Sequence, residues 1–322
     1  MDTLRLGTRG SELALFQANA VAALLAARSS VRCEIVVIKT SGDRLSDASL
    51  AQIGGKRLFV KEIEDALLAG DVDLAVHSSK DMPALLPPGL RIGAVLPRED
   101  PLDAVVLPGP AASQSLREIE GTLGGAPRIG TSSIRRVAQL ARRFPGAAFL
   151  PVRGNLGTRL RKLDDGEYDA LVLAAAGLRR LGQAGRITAT IPVDVCVPAP
   201  GQGIIAVEVR EGDSRVGDVV ALIDDGEAGA ALRAERAVVT RLGGGCQMPI
   251  GALAAISGGT LAVRGVVISP DGAQLIEGRT EGTPADAERL GIEVADLLLQ
   301  RGAGDILLDV QRAQAAVEGI QP

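Results

Sequence analysis

The chain has 322 residues, 46% hydrophobic and 23% charged, with a net charge of −4; this excludes a disordered protein and allows two or three domains. Aromatic residues are 2% and Trp is absent, so an aliphatic core is expected and a stacking surface for single-stranded nucleic acid is not; the net negative charge gives no field to hold DNA or RNA. No apolar run reaches ~18 residues, so no membrane span is expected.

The opening Met1-Asp2-Thr3-Leu4-Arg5-Leu6 reads as the start of a strand over 4–8, not as a secretion signal. Gly7-Thr8-Arg9-Gly10-Ser11 follows, then an apolar periodic helix over 13–27. Ser11 suits the N-cap, with Glu12 in the first turn. A strand feeding a small-residue loop at a helix N-terminus is an anion site, and Arg9 lies in that loop. A second strand covers 33–40, with Cys33 in its core or at its edge. Residues 41–57 have no clear period and carry Gly54-Gly55-Lys56-Arg57, which suggests a long lid-like loop. An amphipathic helix over 59–69 ends at Gly70.

The strand over 72–76 delivers His77-Ser78-Ser79-Lys80-Asp81-Met82-Pro83. Hydroxyls, a cation and a carboxylate at a strand's carboxyl end occupy the place where open α/β sheets bind ligands. His77, the single His, reads as a structural residue. After a strand over 90–96, Arg98-Glu99-Asp100-Pro101 marks a crossing into a second domain, whose first strand covers 103–107. A helix is expected near 115–120. Arg128-Ile129-Gly130-Thr131-Ser132-Ser133-Ile134-Arg135-Arg136 then repeats the strand, hydroxyl and helix-start pattern. Strands over 149–152 and 170–174 lead to Arg153-Gly154-Asn155 with Arg159, and to Arg179-Arg180. Arginines after three successive strands point to carboxylate or phosphate binding, since solvated arginines would be scattered over helix faces.

Val193 to Gly203, with Cys196 among valines, is a Pro/Gly-punctuated second crossing, and the strand over 204–209 returns to the first sheet. The expected organisation is 1–100 with 201–222 as a discontinuous α/β domain, 101–200 as a second α/β domain, and 223–322 as an α+β domain. In the third domain, helices over 227–241, 285–300 and 303–317 accompany strands over 252–256, 260–268 and 274–280. Its entry loop, Gly243-Gly244-Gly245-Cys246-Gln247-Met248-Pro249, presents a thiol at a glycine-rich tip, which is available for covalent chemistry. The three cysteines have no paired spacing, so a reducing, cytoplasmic setting is expected rather than disulfides, and too few soft ligands exist for a metal site.

Taken together, these motifs resemble the porphobilinogen deaminase (hydroxymethylbilane synthase) family along essentially the whole chain. They are Thr8-Arg9-Gly10-Ser11, Gly54-Gly55-Lys56 with Phe59, Ala75-Val76-His77-Ser78 with Lys80-Asp81, Gly130-Thr131-Ser132-Ser133 with Arg135-Arg136, Arg153-Gly154-Asn155 with Arg159, Gly201-Gln202-Gly203, and Gly244-Gly245-Cys246-Gln247. Arg57, Ser79 and Met248 depart from the family pattern, which has Gly, a larger residue, and Val or Ile. The resemblance implies two periplasmic-binding-protein-like (type II) α/β domains around a cleft plus a smaller α+β domain. It implies head-to-tail condensation of four porphobilinogen molecules with loss of ammonia, by a monomer, onto a dipyrromethane primer held by a thioether to Cys246. Asp81 is then the catalytic carboxylate, stabilising cationic pyrrole and moving protons. Lys80, Ser78, Thr131, Ser132, Ser133, Arg135, Arg136, Arg153 and Gly154 are expected to hold the primer. Arg9, Ser11, Lys56, Phe59, Arg153, Arg159, Arg180 and Gln202 are expected to hold substrate. Two alternatives stay open on the residues alone: a solute-binding protein without catalysis, and a cysteine hydrolase using Cys246 and His77.

Overall fold

A computed structural model describes residues 3–44, 60–110, 114–245 and 248–318. Three sheets organise it. The first is built from β1 (Thr3–Thr8), α1 (Glu12–Arg28), β2 (Arg32–Val37), a short α2 (Ser41–Arg44), α3 (Lys61–Ala69), β3 (Leu74–Ser78) and β4 (Leu90–Val95). β3 is buried along Leu74, Ala75, Val76 and His77, as a strand covered on both faces must be. Leu4, Leu6, Leu25, Val76 and Val207 share the core here. The largest fully buried side chains of the protein are leucines and isoleucines, as the aromatic-poor composition requires.

The second sheet follows from β5 (Asp103–Val106), α4 (Leu116–Leu123), β6 (Arg128–Gly130), α5 (Ile134–Ala141), β7 (Ala148–Leu150), α6 (Leu156–Asp164), β8 (Ala170–Ala174), α7 (Ala175–Arg180) and β9 (Ala189–Thr190). The chain then returns as β10 (Ile205–Arg210), between β3 and β4 of the first sheet. The two strand orders, β2-β1-β3-β10-β4 and β7-β6-β8-β5-β9, are the same pattern. In each, three strands are parallel and the fourth is antiparallel to its neighbours. The parallel strands of each sheet therefore end on one edge, where loops and helix starts collect.

α8 (Ser214–Ala221) packs on the first sheet, and the third unit comprises α9 (Gly226–Arg241), β11 (Ile250–Ser257), β12 (Thr260–Ile268), β13 (Leu275–Gly282), α10 (Ala287–Gln300) and α11 (Ala303–Glu318). β11, β12 and β13 form an antiparallel meander covered by α9 and α10. The helices approach closely because Gly291 has no side chain: a β-carbon there would stand 2.2 Å from the Ala234 carbonyl oxygen.

Glu235 ties this unit to both crossings. It is fully buried and accepts from Arg98 Nη1 (2.5 Å), Gly201 N (2.6 Å) and Ala254 N (2.7 Å). On the opposite side, Asp194 reaches Arg264 (2.5 Å).

Most elements fall where the sequence reading put them, with ends moved by local bonds. The strand expected from 72 begins at Leu74, because the Asp73 carboxylate accepts from Arg5 N (2.8 Å) and its guanidinium. The helix expected to end at 120 reaches Leu123, behind a Ser115–Glu118 capping box. Where residues 41–57 were read as loop, Ser41–Arg44 is helical, and 45–59 lie outside the described residues.

Candidate active site

In the first sheet, β1 ends at Thr8, so Arg9 stands at its carboxyl end. Ser11 is the N-cap of α1 and accepts from Ala14 N (3.4 Å). β3 ends at Ser78, whose hydroxyl is bonded to the buried Gln17 amide (2.8 Å). A 3-10 turn over Ser79–Asp81 then turns Lys80 and Asp81 out of the strand. Strand, helix and turn all pin this corner, so its side chains are held in place.

In the second sheet, β6 runs into Thr131-Ser132-Ser133 and α5. Ser133 is the N-cap, accepting from Arg136 N (3.4 Å). Ser132 Oγ donates to Val152 O (2.9 Å) and accepts from Val152 N (3.1 Å), stitching β6 to the segment after β7. Thr131 is buried and accepts from Ser133 N (3.3 Å). Gly154 has φ +101 and a β-carbon there would strike Thr158 Cγ2 at 2.6 Å, so only glycine fits this turn. Its carbonyl accepts from Arg159 Nε (2.8 Å), which orients that guanidinium. Arg180, at the end of α7, donates to Gly203 O (2.6 Å) and so spans the second unit and the return crossing.

Arg135 and Arg136 converge on one buried carboxylate. Asp103 is fully buried and lies 2.8 Å from Arg135 Nη1 and 2.7 Å from Arg136 Nη2. Burial alone would raise its pKa, but the two guanidiniums hold it well below the usual carboxylate range. Arg135 also donates to Val197 O (2.6 Å) and Cys196 Sγ (3.2 Å). Burial pushes the Cys196 thiol up to about 12, so this cysteine is an inert core residue. Cys33 is likewise pushed up, to about 11, by burial. His77 sits 3.1 Å from Glu208 in the sheet interior, which takes away the base that a cysteine hydrolase would need.

The cations that face the cleft disturb one another. Burial pushes the Lys80 ammonium down to about 8; Asp81 and Asp103 oppose this, while Arg136 and Arg135 add to it. Arg159 is lowered by burial and by Arg136 and Arg153, with Asp81 opposing. Arg180 is lowered by burial against Glu99. The Asp81 charge acts on both Lys80 and Arg159, and Arg136 and Arg153 act on Arg159, so cations outnumber carboxylates in this group, an arrangement complementary to anionic ligands. A cavity lined by Ser79, Lys80, Ser133, Arg135 and Gly245 opens where the three units meet. A larger one lies elsewhere, between β4 and α9, away from these groups. Among the described residues no group of acidic, His or Cys side chains could hold a metal ion.

Several expected site residues have other duties. Gln202, expected to contact substrate, is 1% exposed and donates to Pro101 O (2.7 Å) and Asp103 (2.9 Å). It orients Asp103 instead, because the crossing that carries it is buried between the two sheets. Of the hydroxyls expected to face a ligand, that of Ser132 both donates to and accepts from the Val152 backbone, and that of Thr131 accepts from Ser133 N. Lys56, Phe59 and Cys246 lie outside the described residues. Asp103 and Glu235 were not singled out from sequence. The available signal was a lone acid opening an apolar strand, Asp103-Ala104-Val105-Val106, and another within an Ala-rich helix.

A family model described as porphobilinogen deaminase, dipyromethane cofactor binding domain, matches residues 4–218, and one described as porphobilinogen deaminase, C-terminal domain, matches residues 230–300. The porphobilinogen deaminase of Moorella thermoacetica is 46% identical over 324 residues, covering 99% of this chain and 100% of that protein. Among solved structures, the periplasmic VFT2 domain of BvgS from Bordetella pertussis is similar at TM-score 0.39 and 18% identity, over 69% of this chain and 86% of that one. An ancestral arginine-binding protein bound to arginine is similar at TM-score 0.35 and 19% identity, over 69% and 91%.

Proposed function

The chain belongs to the porphobilinogen deaminase family, and from that premise we propose which of its residues perform the reaction. The protein is a transferase, hydroxymethylbilane synthase, that joins four porphobilinogen molecules with release of ammonia on a dipyrromethane primer and then frees the linear tetrapyrrole. Each pyrrole brings an acetate and a propionate, so the growing chain is a string of carboxylates.

The observation that carries the assignment is the cavity that brings Lys80, which shares a turn with Asp81, together with Ser133 and Arg135 of the second unit. Lys80, Arg153 and Arg159 hold carboxylates of the primer and the incoming ring, with Arg9, Ser11 and Arg180 at the substrate side and Ser78 and Ser133 closing the primer side. Arg135 and Arg136 form the rear wall, and Asp103 holds their guanidinium planes. Asp81 accepts pyrrole N–H bonds, stabilises the ring as it becomes cationic, and passes the proton lost on coupling. The primer supplies the nucleophilic pyrrole end on which the chain grows, and Cys246 is its thioether attachment. Lys56 and Phe59 complete the substrate contacts of this proposal. We divide the chain into 1–100 with 201–222, 101–200, and 223–322; the return of β10 to the first sheet supports the discontinuous first domain. A cytoplasmic monomer is the state we propose, in keeping with the unpaired cysteines.

Intact mass followed by peptide mapping tests this. An excess of two pyrrole units on the Cys246 peptide is expected, in the isolated protein or after incubation with porphobilinogen. A protein that stays unmodified after that incubation refutes the assignment.

A pH dependence follows from Lys80. In the free cleft its ammonium gives up its proton as pH rises through about 8. A carboxylate partner favours the charged form, so binding above that pH must take up a proton and weakens. KM for porphobilinogen is expected to rise between about pH 7 and 9. Lys80→Arg should flatten that limb, because guanidinium stays protonated. An identical KM profile in both proteins removes Lys80 from carboxylate binding.

A further inference from the structure

The cleft wall contains one polar group with no role in the assignment above. Ser79 is 3% exposed, and its hydroxyl is shielded from solvent without a hydrogen-bond partner among the described residues. Its backbone is fully used: the N–H donates to Ile204 O (3.0 Å) and the carbonyl accepts from Met82 N (3.1 Å). The side chain is therefore held in place by its neighbours while its own oxygen gains nothing from the fold. A buried hydroxyl in that condition is a net cost to stability.

Ser79 borders a cavity, and its hydroxyl lies beside a glycine. Gly201 lies directly against it at φ +73, and a β-carbon there would stand 2.6 Å from Ser79 Oγ. Any other residue at 201 would close the space. Ser79 lines the same cavity as Lys80, Ser133 and Arg135. Those neighbours are cations and a hydroxyl, so the missing partner is an acceptor and an anion. Apolar side chains, Met82, Leu232, Val239 and Ile250 among them, also line the cavity, which strengthens any hydrogen bond made there.

We propose that Ser79 Oγ donates a hydrogen bond to a carboxylate of the primer, adding a binding residue to the Lys80 side of the cleft. This rests on the function assigned above, and the test separates the two. Apo-protein is prepared as wild type and as Ser79→Ala, each is incubated with porphobilinogen, and loading is followed by intact mass. Thermal unfolding is recorded before and after loading. Without primer, Ser79→Ala should melt at or above wild type, since a cost has been removed. Its loading should be roughly tenfold slower, the size of one hydrogen bond to a charged group, and its gain in Tm on loading should be smaller. Ser79→Thr, which keeps the hydroxyl, should recover the gain. Equal loading rates and equal Tm gains in wild type and Ser79→Ala overturn the proposal. So does an apo Ser79→Ala that melts below wild type by as much as the loaded form does, because the hydroxyl would then be structural. A wild type that gains no two-pyrrole adduct refutes instead the functional reading beneath it.

Discussion

Asp81→Ala is expected to fold as wild type does and to lose turnover by about 10²–10⁴-fold, the range for removing a positioned acid or base. The fold should be indifferent because Asp81 sits on a turn, outside every core cluster, and is not fully buried. Its measurable neighbours are cations: its charge raises both Lys80 and Arg159. Removing it therefore leaves the cleft more positive, and binding of carboxylates should hold or tighten while chemistry fails. That split is the useful signature. Single-turnover kinetics should show KM unchanged or lower with kcat collapsed, a pattern expected of a group that acts on the transition state. Asp81→Asn separates charge from hydrogen bonding: the amide oxygen can still accept a pyrrole N–H but cannot balance a cationic ring. If Asp81→Ala keeps normal kcat in a well-folded protein, the carboxylate has no part in the reaction.

The second large effect concerns stability. Asp103→Ala removes the one carboxylate shared by Arg135 and Arg136, both nearly inaccessible to solvent. Breaking a buried pair costs about 3–5 kcal/mol, since the remaining charge has neither water nor a partner. Two guanidiniums are stranded here, so the upper part of that range is expected, read as a lowered urea midpoint. A loss below about 1 kcal/mol would mean that the bonds the arginines already make to Val197 O and Val172 O suffice to hold them. The same group sets an acid limb. Its carboxyl pKa is depressed in the folded protein below its ordinary value of 3.8, so the unfolded chain binds the proton more readily. Its contribution is then fully present above about pH 4 and is lost progressively as pH falls below that. Asp103→Ala should flatten this limb of the stability profile.

How much of the site could be read in advance differs from residue to residue. Arg153, Arg159 and Lys80 were legible because each follows a short apolar strand, and in an open α/β sheet the chain direction alone brings such loops to one edge. Ser11 was legible as a helix cap, a local effect of sequence, and Ser133 and Asn155 cap their helices in the same way. Gln202 was not: nothing local distinguishes a glutamine facing ligand from one buried between sheets. Its burial depends on β10 returning between β3 and β4, a contact between segments about a hundred residues apart. Asp103 was missed for the same reason. Its partners lie some thirty residues later in the chain, beyond the reach of periodicity or spacing.

The sequence by itself determined the aliphatic core, the alternation of strand and helix, the crossing points near Pro101 and Gly201, and the family. These are carried by composition, by local caps and turns, and by motifs whose residues are contiguous. Only the tertiary structure decided which charged groups face the cleft and which hold the wall behind it. Arg135 and Arg159 look alike as letters after a strand, yet one is locked to Asp103 while the other is held by the Gly154 carbonyl and feels the Asp81 charge. The physical reason is that a charge takes its role from its surroundings. Burial and the nearest opposite charge set whether a guanidinium binds the protein or its ligand, and both are fixed by segments distant in sequence.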